Sequence, residues 1–159
     1  MRPMQAATVT IGVISDTHAR DLSGIAAPVL KALAEVDLIV HAGDFTERGV
    51  LEGLKTIGEV KAVCGNMDSG ELKEMLPRQD LFLVGDKRVG LIHGVGAPWG
   101  ITNRVKDAFP EADIIIFGHS HQACNRFLGE SLLFNPGRAR DSFGVLKIGT
   151  EVAAEIIPV

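Results

Sequence analysis

Seven side chains in this sequence have the donor chemistry to work on metal ions together: Asp16, His18, Asp44, Asn66, His93, His119 and His121. They are carboxylates, imidazoles and one amide, the hard and borderline donors that suit Mn, Fe, Zn, Ni or Co, and no cysteine belongs to the set. Seven ligands are too many for one four-coordinate ion. If one carboxylate bridges, they divide into two sets of four, and a pair of ions is the expectation. Two divalent ions bring four positive charges; Asp16 and Asp44 return two negative ones and a bridging hydroxide a third. The charge left over favours a phosphate group. Two metals roughly 3.5–4 Å apart can clamp the attacking and leaving oxygens of an in-line displacement, and they lower the pKa of bound water. The predicted chemistry is hydrolysis of a phosphate ester.

The spacing of these residues says how they would meet. Asp16 and His18 follow the apolar run Val9, Ile11, Val13 and Ile14. On a chain still extended, residues i and i+2 point to the same side, so both could reach one point at the carboxyl end of a strand. Open α/β sheets place their ligands there. Gly118-His119-Ser120-His121 repeats the spacing after a second buried run. Each block taken singly has a plainer meaning: a cap at Asp16, turns at Gly43-Asp44 and Gly65-Asn66, an internally satisfied histidine at His93. Their joint pattern favours a site, because four of the five histidines end strands in an order interleaved with Asp and Asn.

The elements that must position them alternate. The pattern predicts strands at the Thr8 run, Asp37 to His41, Glu59 to Cys64 and Ala112 to Phe117. Helices are expected from Leu22 to Ala34, Glu47 to Ile57, Ser69 to Leu76 and Ile101 to Phe109. Asp80 to Val84 and Lys87 to Ile92 read as a hairpin turning at Gly85-Asp86. After Gln122 the pattern becomes all strand: Ala123 to Leu128, Ser131 to Phe134, Phe143 to Ile148 and Glu151 to Ile157, with Asn135-Pro136-Gly137 as a loop. Alternation followed by strands implies an α/β fold of two packed sheets with helices outside, rather than one doubly wound sheet.

Bulk properties narrow the class. The 159 residues suffice for one domain, 1–159, with a sizeable core, and 46% hydrophobic with 23% charged residues is ordinary globular composition. The net charge of -4 gives no footprint for long nucleic acid. Cys64 and Cys124 form no CxxC pattern, so neither a disulfide scaffold nor a zinc ribbon is expected, and Cys64 reads as a buried free thiol. Met1 to Ala7 has a charge and no apolar h-region, and no apolar run approaches the ~20 residues of a membrane span. The expected compartment is the cytoplasm, with no membrane partner. The apolar carboxyl-terminal strands could form an edge that pairs with a second subunit.

Together, Asp16-x-His18, Gly43-Asp44, Gly65-Asn66-x-Asp68, His93 and Gly118-His119-x-His121 resemble the calcineurin-like metallophosphoesterases, in that family's order and over about two thirds of the chain. The length and the Asn135-Pro136-Gly137 block resemble its small single-domain phosphodiesterases. The resemblance implies a four-layer αββα sandwich, two mixed β-sheets flanked by helices. It implies one metal held by Asp16, His18, Asp44 and His121, and a second held by Asp44, Asn66, His93 and His119. Asp44 would bridge, opposite a water or hydroxide nucleophile. Manganese heads the expected metals, and Asp44, Asn66 and His93 the expected catalytic residues. The substrate would be a small phosphodiester or nucleotide-like molecule.

Many members of the family carry a histidine as general acid where this chain has Met67, and a thioether donates no proton. His41, the remaining histidine, is expected in a structural or supporting role. Asp68 is expected to cap the following helix with Glu71 three residues on. Arg138 is a candidate phosphate contact alongside Asn66, and Trp99 a candidate for the pocket mouth. The alternative function is a catalytically weak protein-binding scaffold, as in the retromer subunit that resembles this family. A scaffold is expected to have lost ligands, and all seven are present.

Overall fold

The structure, a computed structural model, describes residues 7–159. Short apolar, β-branched runs make three parallel strands: β1 (Val9–Ile14), β2 (Leu38–His41) and β3 (Val60–Ala62). Between them lie α1 (Ala27–Leu33) and α2 (Arg48–Ile57). Then come α3 (Gly70–Met75), β4 (Gln79–Val84), β5 (Lys87–Ile92), α4 (Ile101–Ala108) and β6 (Ile114–Ile116). The chain closes with β7 (Cys124–Leu128), β8 (Ser131–Asn135), β9 (Ser142–Ile148) and β10 (Val152–Pro158).

One detail differs from expectation. The helix expected from Leu22 to Ala34 is two pieces, a 3-10 turn at Leu22–Gly24 and then α1. Asp21 caps the first turn by accepting the Ser23 N–H at 2.9 Å. Pro28 stands in the first turn of α1, where its missing N–H costs nothing; deeper in a helix its ring would clash with the carbonyl behind it. The hairpin at Gly85-Asp86 has positive φ at its first central residue alone (Gly85, 61°), the II′ pattern that glycine permits.

The strands form two five-stranded mixed sheets, ordered β10-β9-β1-β2-β3 and β4-β5-β6-β8-β7. Each holds a parallel trio: β1, β2 and β3, with antiparallel β9 and β10 on the β1 side, and β5, β6 and β8, with antiparallel β4 and β7 on either side. Alternate side chains sort into three apolar layers. Ile11, Val13 and Val40 meet Val89, Leu91 and Ile116 between the sheets. Val29, Leu33, Leu51 and Leu54 of α1 and α2 cover the outside of the first sheet, and Ile101, Val105 and Phe109 cover the second. The result is the αββα sandwich. At Gly12 α1 packs close on β1: a Cβ there would lie 2.6 Å from Leu33 Cδ2. β10 is an edge of the first sheet. No helix among the described residues is long and apolar enough to cross a membrane.

Candidate metal centre

All seven candidate residues lie just past the carboxyl ends of parallel strands. Asp16 and His18 follow β1, Asp44 follows β2 and Asn66 follows β3. His93 follows β5, and His119 and His121 follow β6. The first four come from one sheet and the last three from the other, so the cluster straddles the seam between the sheets.

The backbone does not deliver them by extension. Asp16, His18, Asp44, His119 and His121 have φ of 54°, 45°, 61°, 70° and 61°. These are left-handed values that non-glycine residues rarely take, and Thr46 is the one other such residue among those described. The i, i+2 spacing therefore works through tight left-handed turns and not through a continued strand. Such strain gathers where the surroundings fix a site. The turns are stitched across the sheet: the Asp16, His18 and Ala19 N–H groups donate to the Gly43, Asp44 and Phe45 carbonyls at 3.0, 3.2 and 3.0 Å.

The atoms that converge are acceptors. The Asp16 carboxylate is buried; its Oδ2 accepts the Ser15 hydroxyl at 2.8 Å and the His119 N–H at 3.3 Å. Its Oδ1 is buried with no hydrogen-bond partner, 3.4 Å from His121 Nε2 and 4.0 Å from the Nε2 atoms of His18 and His93. Asp44 Oδ2 lies 3.2 Å from His93 Nε2 and 3.8 Å from His18 Nε2. His93 Nδ1 is 2.7 Å from the Ala42 carbonyl, which can only accept, so that nitrogen carries the proton. The other nitrogen, Nε2, faces Asp44 and, at 3.1 Å, Asn66 Oδ1; it presents a lone pair to both when the ring is neutral and donates when the ring is charged. His119 repeats the device: Nε2 donates to the Gly96 carbonyl at 2.9 Å, and Nδ1 faces Asn66 Oδ1 at 3.3 Å. Metal-bound histidines are held in this way by a carbonyl on the far nitrogen.

Acceptors at such distances need a positive charge among them. Burial raises the Asp44 carboxyl, but the His93 hydrogen bond and charge, the Met67 N–H and His18 outweigh it and hold Asp44 below its ordinary value. Burial lowers His93, and Asp44 outweighs that, so His93 is raised. One proton on His93 would satisfy that pair alone. It leaves the orphaned Asp16 Oδ1 and the facing His119 and Asn66 acceptors, so the donor set fits metal cations better. Asp16, His18 and His121 form one group able to share an ion, and Asp16, Asp44 and His93 form another.

One residue beside the cluster differs from expectation. Asp68 does not cap α3; Ser69 does, accepting the Leu72 N–H at 3.3 Å. Asp68 is buried, and it accepts the N–H groups of Gly65 (2.7 Å), Asp44 (3.1 Å) and Thr46 (2.9 Å). It thus ties the loop after β3 to the loop after β2. Its i+3 relation to Glu71 reads as a local cap, because two of its three true partners lie more than twenty residues away. Arg138 is engaged by Asp141 at 2.8 and 2.9 Å. Trp99 is 81% exposed, in a loop whose Val95, Ala97 and Trp99 carbonyls all accept from Arg104.

Other supports were not legible beforehand. Ser15 orients Asp16. Asn135 is buried and donates to the Gly118 carbonyl and Ser120 Oγ, each at 3.1 Å, fixing the turn that carries His119 and His121. The Asn-Pro-Gly block was the only signal for it. His41 has the expected supporting role. It is fully buried and stacked on Phe45 at 3.5 Å, and its Nδ1 accepts the Gly43 N–H at 3.0 Å while Nε2 meets Thr17 Oγ1. Burial, aided by the His93 charge, holds it well below the usual histidine range. Cys64 is a buried free thiol, as expected.

Comparison with known proteins identifies the family. Residues 9–152 match the calcineurin-like phosphoesterase superfamily domain. The chain is 45% identical over 157 residues to a probable metallophosphoesterase of Methanothermobacter thermautotrophicus, covering 92% of this chain and 91% of that one. Among solved structures it shares the fold of an archaeal phosphodiesterase, with TM-score 0.73, 21% identity and 93% and 99% of the two chains covered. It also shares the fold of Vps29 from Entamoeba histolytica in complex with zinc, with TM-score 0.70, 23% identity and 94% and 98% covered. A match that runs through nearly the whole chain, and takes in every strand end that carries a candidate ligand, makes this protein a member of the calcineurin-like phosphoesterase superfamily.

Proposed function

We propose that the chain is a phosphodiesterase that uses two divalent metal ions, with manganese as the first expectation. The observation that carries this is the convergence of acceptor atoms around the orphaned Asp16 Oδ1. Asp16, His18, Asp44 and His121 would hold one ion, and Asp44, Asn66, His93 and His119 the other. Asp44 Oδ2 faces an imidazole of each set, which supports its role as the shared ligand. Bound ions would supply a water of lowered pKa and a positive clamp on phosphoryl oxygens.

The chain's own groups do the rest. Asp44, Asn66 and His93 define the centre of the site, and the Ala42 carbonyl keeps the His93 proton on Nδ1, away from it. Met67 is 57% exposed beside them and offers no proton, so a departing oxygen must leave as a stable anion or take its proton from solvent. That favours diesters with good leaving groups. Arg138 is the candidate phosphate contact; Asp141 engages its Nε and Nη2, and Nη1 would be the nitrogen to meet a substrate. A small or nucleotide-like diester is the substrate class, and the β10 edge is where a second subunit would add.

A second reading is a protein-binding scaffold. Its support is the fold shared with Vps29 and the exposed Leu81 (56%) and Leu83 (68%) on β4. The test is turnover of bis-p-nitrophenyl phosphate and p-nitrophenyl phosphate by metal-stripped protein, before and after Mn²⁺ is restored. Activity that returns with metal and favours the diester supports the first reading. No turnover with metal demonstrably bound transfers support to the scaffold.

A further inference from the structure

The candidate metal centre does not end at its ligands. A cavity of about 430 Å³ opens beside it, and Asn66 and His93 form part of its wall. Its other side is basic: Lys73 comes from α3, and Arg78 from the segment entering β4. Among the described residues, neither has a carboxylate within ion-pair distance, although acids outnumber bases in this chain, 20 to 16. Lys73 Nζ donates to the Asn66 carbonyl at 3.2 Å, which brings its charge to the edge of the ligand set. Ile92 and Val95 add apolar wall, and the Gln79 amide completes the polar lining.

We infer that this cavity is a second subsite, which takes an anionic group on the far arm of the substrate while the scissile phosphodiester lies at the metal centre. The inference rests on the phosphodiesterase reading and names its substrate class: a diester one of whose arms bears a further phosphate. The chemistry is that of charge-assisted contacts from an ammonium and a guanidinium, with the guanidinium able to take two oxygens at once. The volume lies within the range of small-ligand sites and leaves room for a sugar between the two anions. The walls are shared, so one molecule can span both places.

Two chromogenic substrates separate the alternatives: thymidine 5′-(p-nitrophenyl phosphate) and the same compound carrying a 3′-phosphate. With Mn²⁺ present, the added phosphate should raise kcat/KM by roughly tenfold, the size expected of a charge-assisted contact. That preference should shrink as salt is raised. The ratio of the two kcat/KM values should fall toward one in Arg78→Met and Lys73→Met. It should hold in Lys55→Met, at the end of α2 remote from the site. A second readout needs no turnover: thymidine 3′,5′-bisphosphate titrated calorimetrically into metal-free protein should bind, and Arg78→Met should weaken it at least fivefold. Equal kcat/KM for the two substrates, or bisphosphate binding that is the same in Arg78→Met, overturns the subsite. Failure of both substrates to turn over removes the phosphodiesterase reading, and the calorimetric comparison still decides the subsite.

Discussion

Asp68 shows how much of the site depends on a residue that would never touch an ion. One carboxylate gathers three backbone N–H groups from two loops, and two of those N–H groups share Oδ2. An amide has one acceptor oxygen where the carboxylate has two, so Asp68→Asn leaves at least one buried donor unpaired, at a cost of about 1–3 kcal/mol. It also frees the turn that aims Asp44. We expect Mn²⁺ affinity, measured by calorimetry, to drop about 10- to 100-fold in this variant, as it does when groups supporting metal ligands are removed. Ser69→Ala is the control. It removes the true cap of α3 and should cost about 0.5–2 kcal/mol in urea denaturation, with metal affinity held within about twofold. Equal loss of affinity in both variants would make Asp68 merely structural.

At the scale of elements, the site depends on strand ends and loops that approach one another closely. A Cβ at Gly118 would stand 2.1 Å from Ser15 Oγ and 2.9 Å from Asp16 Oδ2, so the turn after β6 touches the carboxylate after β1. Gly118→Ala should displace Asp16 and lower metal-dependent turnover by about tenfold or more, with a stability loss of about 1–3 kcal/mol. Gly70, at the start of α3, has nothing within 4 Å of such a Cβ, so Gly70→Ala should leave activity alone and add up to about 1 kcal/mol of stability. Steady-state kinetics and thermal melts on the pair check both halves. Every strand and helix was legible from apolar periodicity, because each element buries a face whose period is local to the sequence. The break before α1 was not read from the sequence: Pro28 marks a first turn, and the helix that it opens begins at Ala27 rather than at Leu22. The left-handed turns at Asp16, His18, Asp44, His119 and His121 were only weakly legible, since Asp and His take positive φ more readily than most side chains but nothing local says which of them will adopt it. The tertiary structure imposes it, as it imposes the pairing of Asp68 and of Arg138 with Asp141.

The whole molecule is two sheets that meet along a seam, with the candidate ligands drawn from both. Divalent ions bound there favour the folded state by mass action, by about 2.7 kcal/mol at a concentration one hundred times Kd for one site. Metal-stripped protein should therefore melt several degrees lower than protein with Mn²⁺ restored, and Asp16→Asn should abolish most of the difference. An unchanged Tm on metal addition would speak against the whole cluster. The seam has a further consequence for time rather than for equilibrium. In the proposed ligand sets neither sheet alone supplies every ligand, so an ion would find its place only after the two have come together. Contacts completed that late are missing from the barrier a folding chain must cross. Bound metal should then lengthen the life of the native molecule while leaving the pace of its formation as it was.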